Sequence, residues 1–254
     1  MINRHIKTRK IILIGTAISV LLLSTTASCS IIQQAGSYIR YSLSRQTDEV
    51  EENDPENRFE GEEIMLPEPE TSKGIPVETA MKKRRSVRTF SEKELEIEKI
   101  SQLLWAAQGI TQKSTGYRTA PSAGALYPLE LFLVKCDGVY HYRPQGHKLI
   151  KIMSKDLRIE LAEGSVFQGF IAAAPASIVI TGVFERTIQK YGQRGVRYVY
   201  MEAGHSCQNI LLQAVSLGLG AVPVGAFDDD YLQNLFSLPP EYEILYVIPV
   251  GYPG

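Results

Sequence analysis

Across residues 196–217, apolar side chains recur every three or four positions, with Val199, Ala203, Cys207, Ile210, Leu211, Ala214 and Val215 on one stripe. Gly218 and Gly220 follow at once, which is where a helix stops. A helix this long with one apolar face must lie against another layer, and the neighbouring segments supply strands for it. Residues 129–136 read as a strand, Asp137-Gly138 as a hairpin turn and 139–142 as the partner strand. Residues 177–184 and 244–250 read as further buried strands, the former preceded by an Ala-rich helix ending near Pro175. Short helices are expected at 77–83 and from Asp228 or Asp229 through Phe236. Ser91-Glu92-Lys93-Glu94 has the form of a capping box ahead of Leu95, Ile100, Leu103, Leu104 and Ala107 at helical spacing, and Gly109 ends that run. Strands so few and irregular do not make βα repeats, so the class is α+β.

The chain has 254 residues, 44% of them apolar, and a net charge of −1, which allows one domain of about 170–190 residues with appendages. No sustained basic face is present, and a nucleic-acid partner is not expected. Charge is unevenly spread. Arg4, Lys7, Arg9 and Lys10 precede an apolar run at 11–23 and the small residues Thr26-Ala27-Ser28-Cys29, the pattern of an export signal. Three readings stand side by side: a lipoprotein signal with Cys29 as the lipidated residue, an uncleaved signal anchor, and an ordinary signal peptide. The first would make the protein a membrane-anchored envelope lipoprotein. Residues 48–70 are strongly acidic and carry Pro55, Pro67 and Pro69, which predicts an extended, disordered tether. The expected organisation is therefore a signal at 1–29, a tether at 30–72 and a folded domain at 73–254. Cys136 and Cys207 are expected to be buried thiols, and the four histidines form no ligand motif, so no metal is expected.

Arg84, Arg85, Ser86 and Arg88 place three permanent positive charges and a hydroxyl within five residues. Guanidinium forks match phosphate oxygens in pairs, so the cluster is a candidate phosphate grip. Residues 121–128, Pro-Ser-Ala-Gly-Ala-Leu-Tyr-Pro, and 218–227, Gly-Leu-Gly-Ala-Val-Pro-Val-Gly-Ala-Phe, are small-residue turns whose backbone can approach a flat ligand. Taken alone, each feature reads first as a solvated face or a structural turn.

Together, the stretches at 84–90, 101–111, 118–131, 190–209 and 218–230 resemble the nitroreductase superfamily, and specifically its SagB-type dehydrogenase branch, over about residues 66–254. The resemblance implies an FMN-dependent oxidoreductase folded as a three-layer α-β-α sandwich with a mainly antiparallel central sheet, built as a homodimer. It implies that Arg84, Arg85, Ser86 and Arg88 hold the FMN phosphate and ribityl chain. Pro121, Ser122, Ala123 and Gly124 would line the flavin, and Pro223, Val224, Gly225 and Ala226 would pack beside its ring. Members that oxidise azolines carry a Lys-Tyr pair, which Lys190-Tyr191 matches; the implied role is substrate deprotonation, on a small-molecule or peptide substrate. The branch implies oxidation of C–N or C–C bonds, and the wider superfamily implies NAD(P)H-driven reduction of nitro or quinone compounds. A flavin-binding scaffold without turnover is the third reading. An extracytosolic location would favour oxygen or a quinone as electron acceptor. Arg194 and Arg197 are candidate helpers at the phosphate, because residues 251–254 carry no basic side chain. His205 is expected to be an interior histidine, and Asp228-Asp229-Asp230 a helix start rather than a cation site.

Overall fold

The computed structural model describes residues 59–254. The expected signal, Cys29 and residues 30–58 of the expected tether lie outside the described residues. The strands are β1 (Glu62–Met65), a small hairpin of β2 (Ile110–Gln112) and β3 (Tyr117–Arg118), β4 (Leu129–Lys135), β5 (Gly138–Arg143), β6 (Lys148–Met153), β7 (Ala176–Val183), β8 (Gly220–Ala221) and β9 (Tyr242–Gly251). The helices are α1 (Val77–Lys83), α2 (Ile97–Gln108), α3 (Arg158–Gly164), α4 (Gly169–Ala173), α5 (Glu185–Tyr191), α6 (Arg194–Ser216) and α7 (Asp229–Leu235).

Seven strands form one sheet in the order β1-β6-β5-β4-β7-β9-β8, and each of these pairings is antiparallel. Side chains alternate across a strand, so a strand apolar at every position needs cover on both faces. Leu129, Leu131 and Leu133 of β4, with Ile178 and Ile180 of β7, pack in one core with Leu103 and Leu104 of α2 and Val199, Ala203 and Ile210 of α6. Phe132, Val134, Val179 and Val183 point the other way, into a second core with Leu161 of α3, Ile171 of α4 and Leu232 of α7. The result is the expected α+β sandwich of helix, sheet and helix. Full burial of a Leu, Ile, Val or Phe contributes roughly 1.5–3 kcal/mol, so the almost wholly covered β4 and β7 are the anchor of both cores.

The long helix and the start of α7 follow the sequence reading, with the Asp228 carboxylate accepting from the Tyr231 amide at 2.9 Å as an N-cap. Other expectations need correction. Helix α2 starts after Glu96, not at the 91–94 box, because the Ser91 amide is engaged by the Tyr252 carbonyl at 2.9 Å. The folded part begins before residue 73: β1 pairs with β6, and Lys148 Nζ meets the Glu63 carboxylate at 2.6 Å, offsetting the local negative charge. Strand β6 and helix α5 had no expectation. Cys136 is exposed rather than buried, its thiol donating to Glu94 at 3.3 Å, while Cys207 is buried as expected. His205 is exposed on α6 rather than interior.

Candidate functional site

The arginine cluster follows α1 as an extended segment along the β8 edge of the sheet. Ser86 bridges Ala221 in parallel, and the Val87 amide donates to the Ala221 carbonyl at 3.2 Å. Phe90 bridges Pro253, and the Gly254 amide donates to the Thr89 carbonyl at 3.0 Å, so the segment is held from both sides. Gly220 makes this approach possible: a Cβ there would sit 2.6–2.7 Å from the Val87 side chain. Arg85, Ser86 and Arg88 are exposed and Arg84 is half-buried. The Arg85 guanidinium donates to the carbonyls of Lys82 at 3.1 Å and Arg84 at 2.7 Å, at the negative end of α1, and Arg88 lies 5.7 Å from the Phe170 ring centre.

The same edge carries the second glycine-rich turn. Val224 is buried and bonded to Val247 in both directions, at 2.8 and 2.9 Å, while Pro223 is half-buried and Gly225 and Ala226 are exposed. Gly225 lines a cavity of about 410 Å³ together with Tyr200, Phe227, Asp229, Glu243 and Leu245. The structure thus joins the arginine segment to the 218–226 turn, through Ser86 and Ala221.

A second cluster forms where the 118–127 loop meets α5. Lys190 and Tyr191 end that helix, both half-buried. Gly124, exposed and at φ +64°, faces them: a Cβ built on it would lie 2.8 Å from Lys190 Nζ and 2.8 Å from the Tyr191 hydroxyl. A side chain at this position would take the space that both polar ends face. Lys190 Nζ also lies 5.5 Å from the Tyr191 ring centre, and Tyr198 packs edge-on against that ring at 5.2 Å. Pro121 is exposed, and Ser122 and Ala123 are half-buried beside Gly124.

Beneath the loop lies a polar network that sequence reasoning missed. Arg186 of α5 donates to the Tyr127 carbonyl at 2.9 Å and pairs with the buried Glu130 of β4 at 2.5 Å. Burial would push the Glu130 carboxyl up, but the Arg186 charge and His141, 2.7 Å away, hold it down at about 2. Arg118 lies 4.6 Å from the Tyr127 ring centre, its amide donates to the Tyr127 hydroxyl at 3.1 Å, and its guanidinium reaches Gln108 at 3.4 Å. The Gln108 amide in turn donates to buried Glu202 of α6 at 3.4 Å. Burial pushes the Glu202 carboxyl up to about 7, against hydrogen bonds from Ser122 and Gln108 and the charges of Arg118 and Arg186. One sequence signal was available: Arg186 stands four residues before Lys190, on the same helix face. Arg194 is taken up by the Tyr198 hydroxyl at 3.2 Å, and Arg197 is exposed. Among the described residues no group of three or more His, Cys, Asp or Glu could hold a metal ion.

The family model for the nitroreductase family matches residues 81–252, which takes in both clusters and nearly all of the sandwich. This chain belongs to the nitroreductase family. A protein of Methanocaldococcus jannaschii, MJ1384, named for a nitroreductase, is 43% identical over 195 residues, covering 74% of this chain and 96% of that one. The microcin B17-processing protein McbC of Escherichia coli is 29% identical over 157 residues, and this chain spans 57% of its length. Among solved structures, one named for a nitroreductase from Ralstonia eutropha superposes with a TM-score of 0.70 at 29% identity, covering 76% of this chain and 90% of that one. These findings overturn the reading of an envelope lipoprotein held to a membrane by its N-terminus. The family model and MJ1384 are named for nitroreductases, and among the described residues no helix is long and apolar enough to cross a membrane. The case for oxygen or a quinone as acceptor, which rested on that location, falls with it.

Proposed function

We propose that this nitroreductase-family protein is an FMN-dependent oxidoreductase of the SagB type, and that Lys190 and Tyr191 handle the proton of the reaction. The observation that carries the reading is that Lys190 Nζ and the Tyr191 hydroxyl each lie 2.8 Å from the point where a side chain on Gly124 would begin. The donor set fits a flavin mononucleotide. Arg84, Arg85 and Arg88 would hold its phosphate by charge, aided by the Ser86 hydroxyl. Gly225 and Ala226 are exposed and would offer backbone amides, and Pro121, Ser122, Ala123 and Gly124 would form a low-relief wall, with Pro223 and Val224 behind the turn.

When bound, FMN supplies the two-electron chemistry, taking up or giving back a hydride. Removing two hydrogens from a C–N or C–C bond leaves a proton as well as a hydride, and the proton needs a base. Lys190, with Tyr191 as relay, would take it from the substrate, and the exposed face of Gly124 leaves room for a small molecule or peptide to reach them. McbC, which by name processes microcin B17, supports this direction. MJ1384, named for a nitroreductase, supports the second reading, in which NAD(P)H drives reduction of a nitro or quinone compound and the same pair delivers a proton.

The visible absorption spectrum of the purified protein tests the cofactor. Flavin bands that bleach with a candidate donor are expected, and a protein still colourless after incubation with excess FMN overturns the proposal. Lys190→Ala should keep the colour and lose turnover by about 10²–10⁴-fold, the usual worth of a positioned acid or base. Unchanged turnover would remove the pair from the mechanism.

A further inference from the structure

The ion pair beneath the 118–127 loop has no part in the proton handling outlined above, yet it touches both sides of the place where that handling would occur. We propose that Arg186 is a positioning residue: its guanidinium fork pins the loop that carries Gly124 to the helix that carries Lys190 and Tyr191, and so sets the distance between them. The inference rests on the reading of Lys190 and Tyr191 as the proton pair.

The two prongs of the fork go to different elements. One nitrogen donates to the Tyr127 carbonyl at 2.9 Å, at the end of the loop, and the other to the Glu130 carboxylate at 2.5 Å, on β4. Arg186 itself stands one turn before Lys190 on α5, on the same helix face. A planar fork can serve two acceptors at once, whereas a lysine ammonium brings a single nitrogen on a flexible stem. Glu130 is fixed in its turn. Its second carboxylate oxygen lies 2.7 Å from His141 Nε2 on β5, and its carbonyl accepts from the Thr181 hydroxyl of β7 at 3.4 Å. Glu130 and His141 are both buried, so the pin is rooted in three paired strands of the sheet.

The loop needs such a hold. Gly124, Ala125 and Tyr127 have φ of 64°, 54° and 48°, a region unfavourable for any residue with a Cβ. Within the loop, the Ala125 amide donates to the Ser122 carbonyl at 3.1 Å and the Tyr127 amide to Ser122 Oγ at 2.9 Å, which closes the turn on itself. Beyond it, the Pro128 carbonyl accepts from the Val183 amide at 2.8 Å and ties the chain to the sheet. Arg186 takes the carbonyl between these restraints, and a charged donor makes a bond about twice as strong as a neutral one. Without it, Gly124 could shift against Lys190 Nζ and the Tyr191 hydroxyl, each 2.8 Å from where its Cβ would be. A misplacement of about 1 Å can cost on the order of 10²-fold in rate.

Arg186→Lys keeps the charge and loses the fork, and Arg186→Ala loses both. In the full-length protein loaded with FMN, the maximal rate of flavin bleaching should fall about 10–100-fold in both variants. The donor concentration giving half that rate should stay within about twofold of the wild type, because positioning acts on the chemical step and not on uniform binding. Methylguanidinium should restore much of the lost rate to Arg186→Ala and none to Lys190→Ala. The Gly124 and Ala125 amide resonances, followed by NMR without FMN, should move in both variants. Should Arg186→Ala not fold, Arg186→Lys carries the same rate and resonance readouts. Unmoved Gly124 resonances overturn the proposal whatever the rate. Arg186→Lys at the wild-type rate, where Lys190→Ala is inactive, overturns it as well. A wild type that takes up no FMN, or a Lys190→Ala protein at the wild-type rate, with the resonances moving as expected, would overturn the reading of the proton pair and leave the pin standing.

Discussion

Gly124→Ala separates the stability of the fold from the geometry of the site. The new Cβ would lie 2.8 Å from both Lys190 Nζ and the Tyr191 oxygen, where ordinary contact begins at 3.4 Å, so the two polar ends must retreat by about 0.6 Å. Both obstacles are the far ends of side chains and can move. The cost to stability is therefore mainly the positive φ of the alanine, roughly 1–2 kcal/mol, partly offset by about 0.4–1 kcal/mol from the stiffer unfolded chain. A net loss of about 1 kcal/mol is expected in urea unfolding. Turnover should suffer far more, because misplacing catalytic groups by about 1 Å can cost on the order of 10²-fold. The assay is the bleaching rate of the flavin with whichever donor reduces the wild type. Colour should be retained and the rate should fall about 10–100-fold. A Gly124→Ala protein with the wild-type rate would refute the argument that Lys190 and Tyr191 work at this point. A loss beyond about 3 kcal/mol would refute the argument that they can yield.

Stability should also carry the mark of Glu202. Its folded value of about 7 exceeds the ordinary 4.5, so between those values the folded state keeps a proton that the unfolded state has lost, and stability falls as pH rises through the window. The gap corresponds to about 3 kcal/mol by pH 7.5. Urea unfolding from pH 4.5 to 7.5 should show the wild type losing about that much relative to Glu202→Gln, and parallel curves would refute it. At the sheet edge, Gly220→Ala drives a Cβ into Val87 and should cost about 1–3 kcal/mol in overpacking while loosening the arginine segment. Val87→Ala in the same chain should recover melting temperature and FMN retention on dialysis, and a double variant no better than the single would count against that contact.

The amphipathic stripe from Val199 to Val215, the apolar run of β4 and the aspartate cap of α7 were legible because each is a local pattern with a fixed period or a fixed cap chemistry. Strand β1 was not legible, since the positive charges that make Glu63 tolerable there come from β5 and β6, about eighty residues away. The same limit hid the buried part of the candidate site. The arginine cluster, the two glycine turns and Lys190-Tyr191 are short motifs and could be picked out one by one. Glu130, Gln108, Arg118 and Glu202 become meaningful only when β4, α2, β3 and α6 converge, and no spacing along the chain announces that. His205 went the other way: three residues beyond Glu202 and two before the buried Cys207, it looked interior, yet α6 turns it outward.

The margins of the seven-stranded sheet offer little to a stray strand. At one side β1 is four residues long and begins with two carboxylates; at the other β8 has two residues, and the chain from Ser86 to Val87 occupies its outer flank. The segment that carries the arginines is thus also a guard against polymerisation. Substitutions that pry it loose would leave the protein sticky, and self-association would be an early sign that the β8 margin had opened.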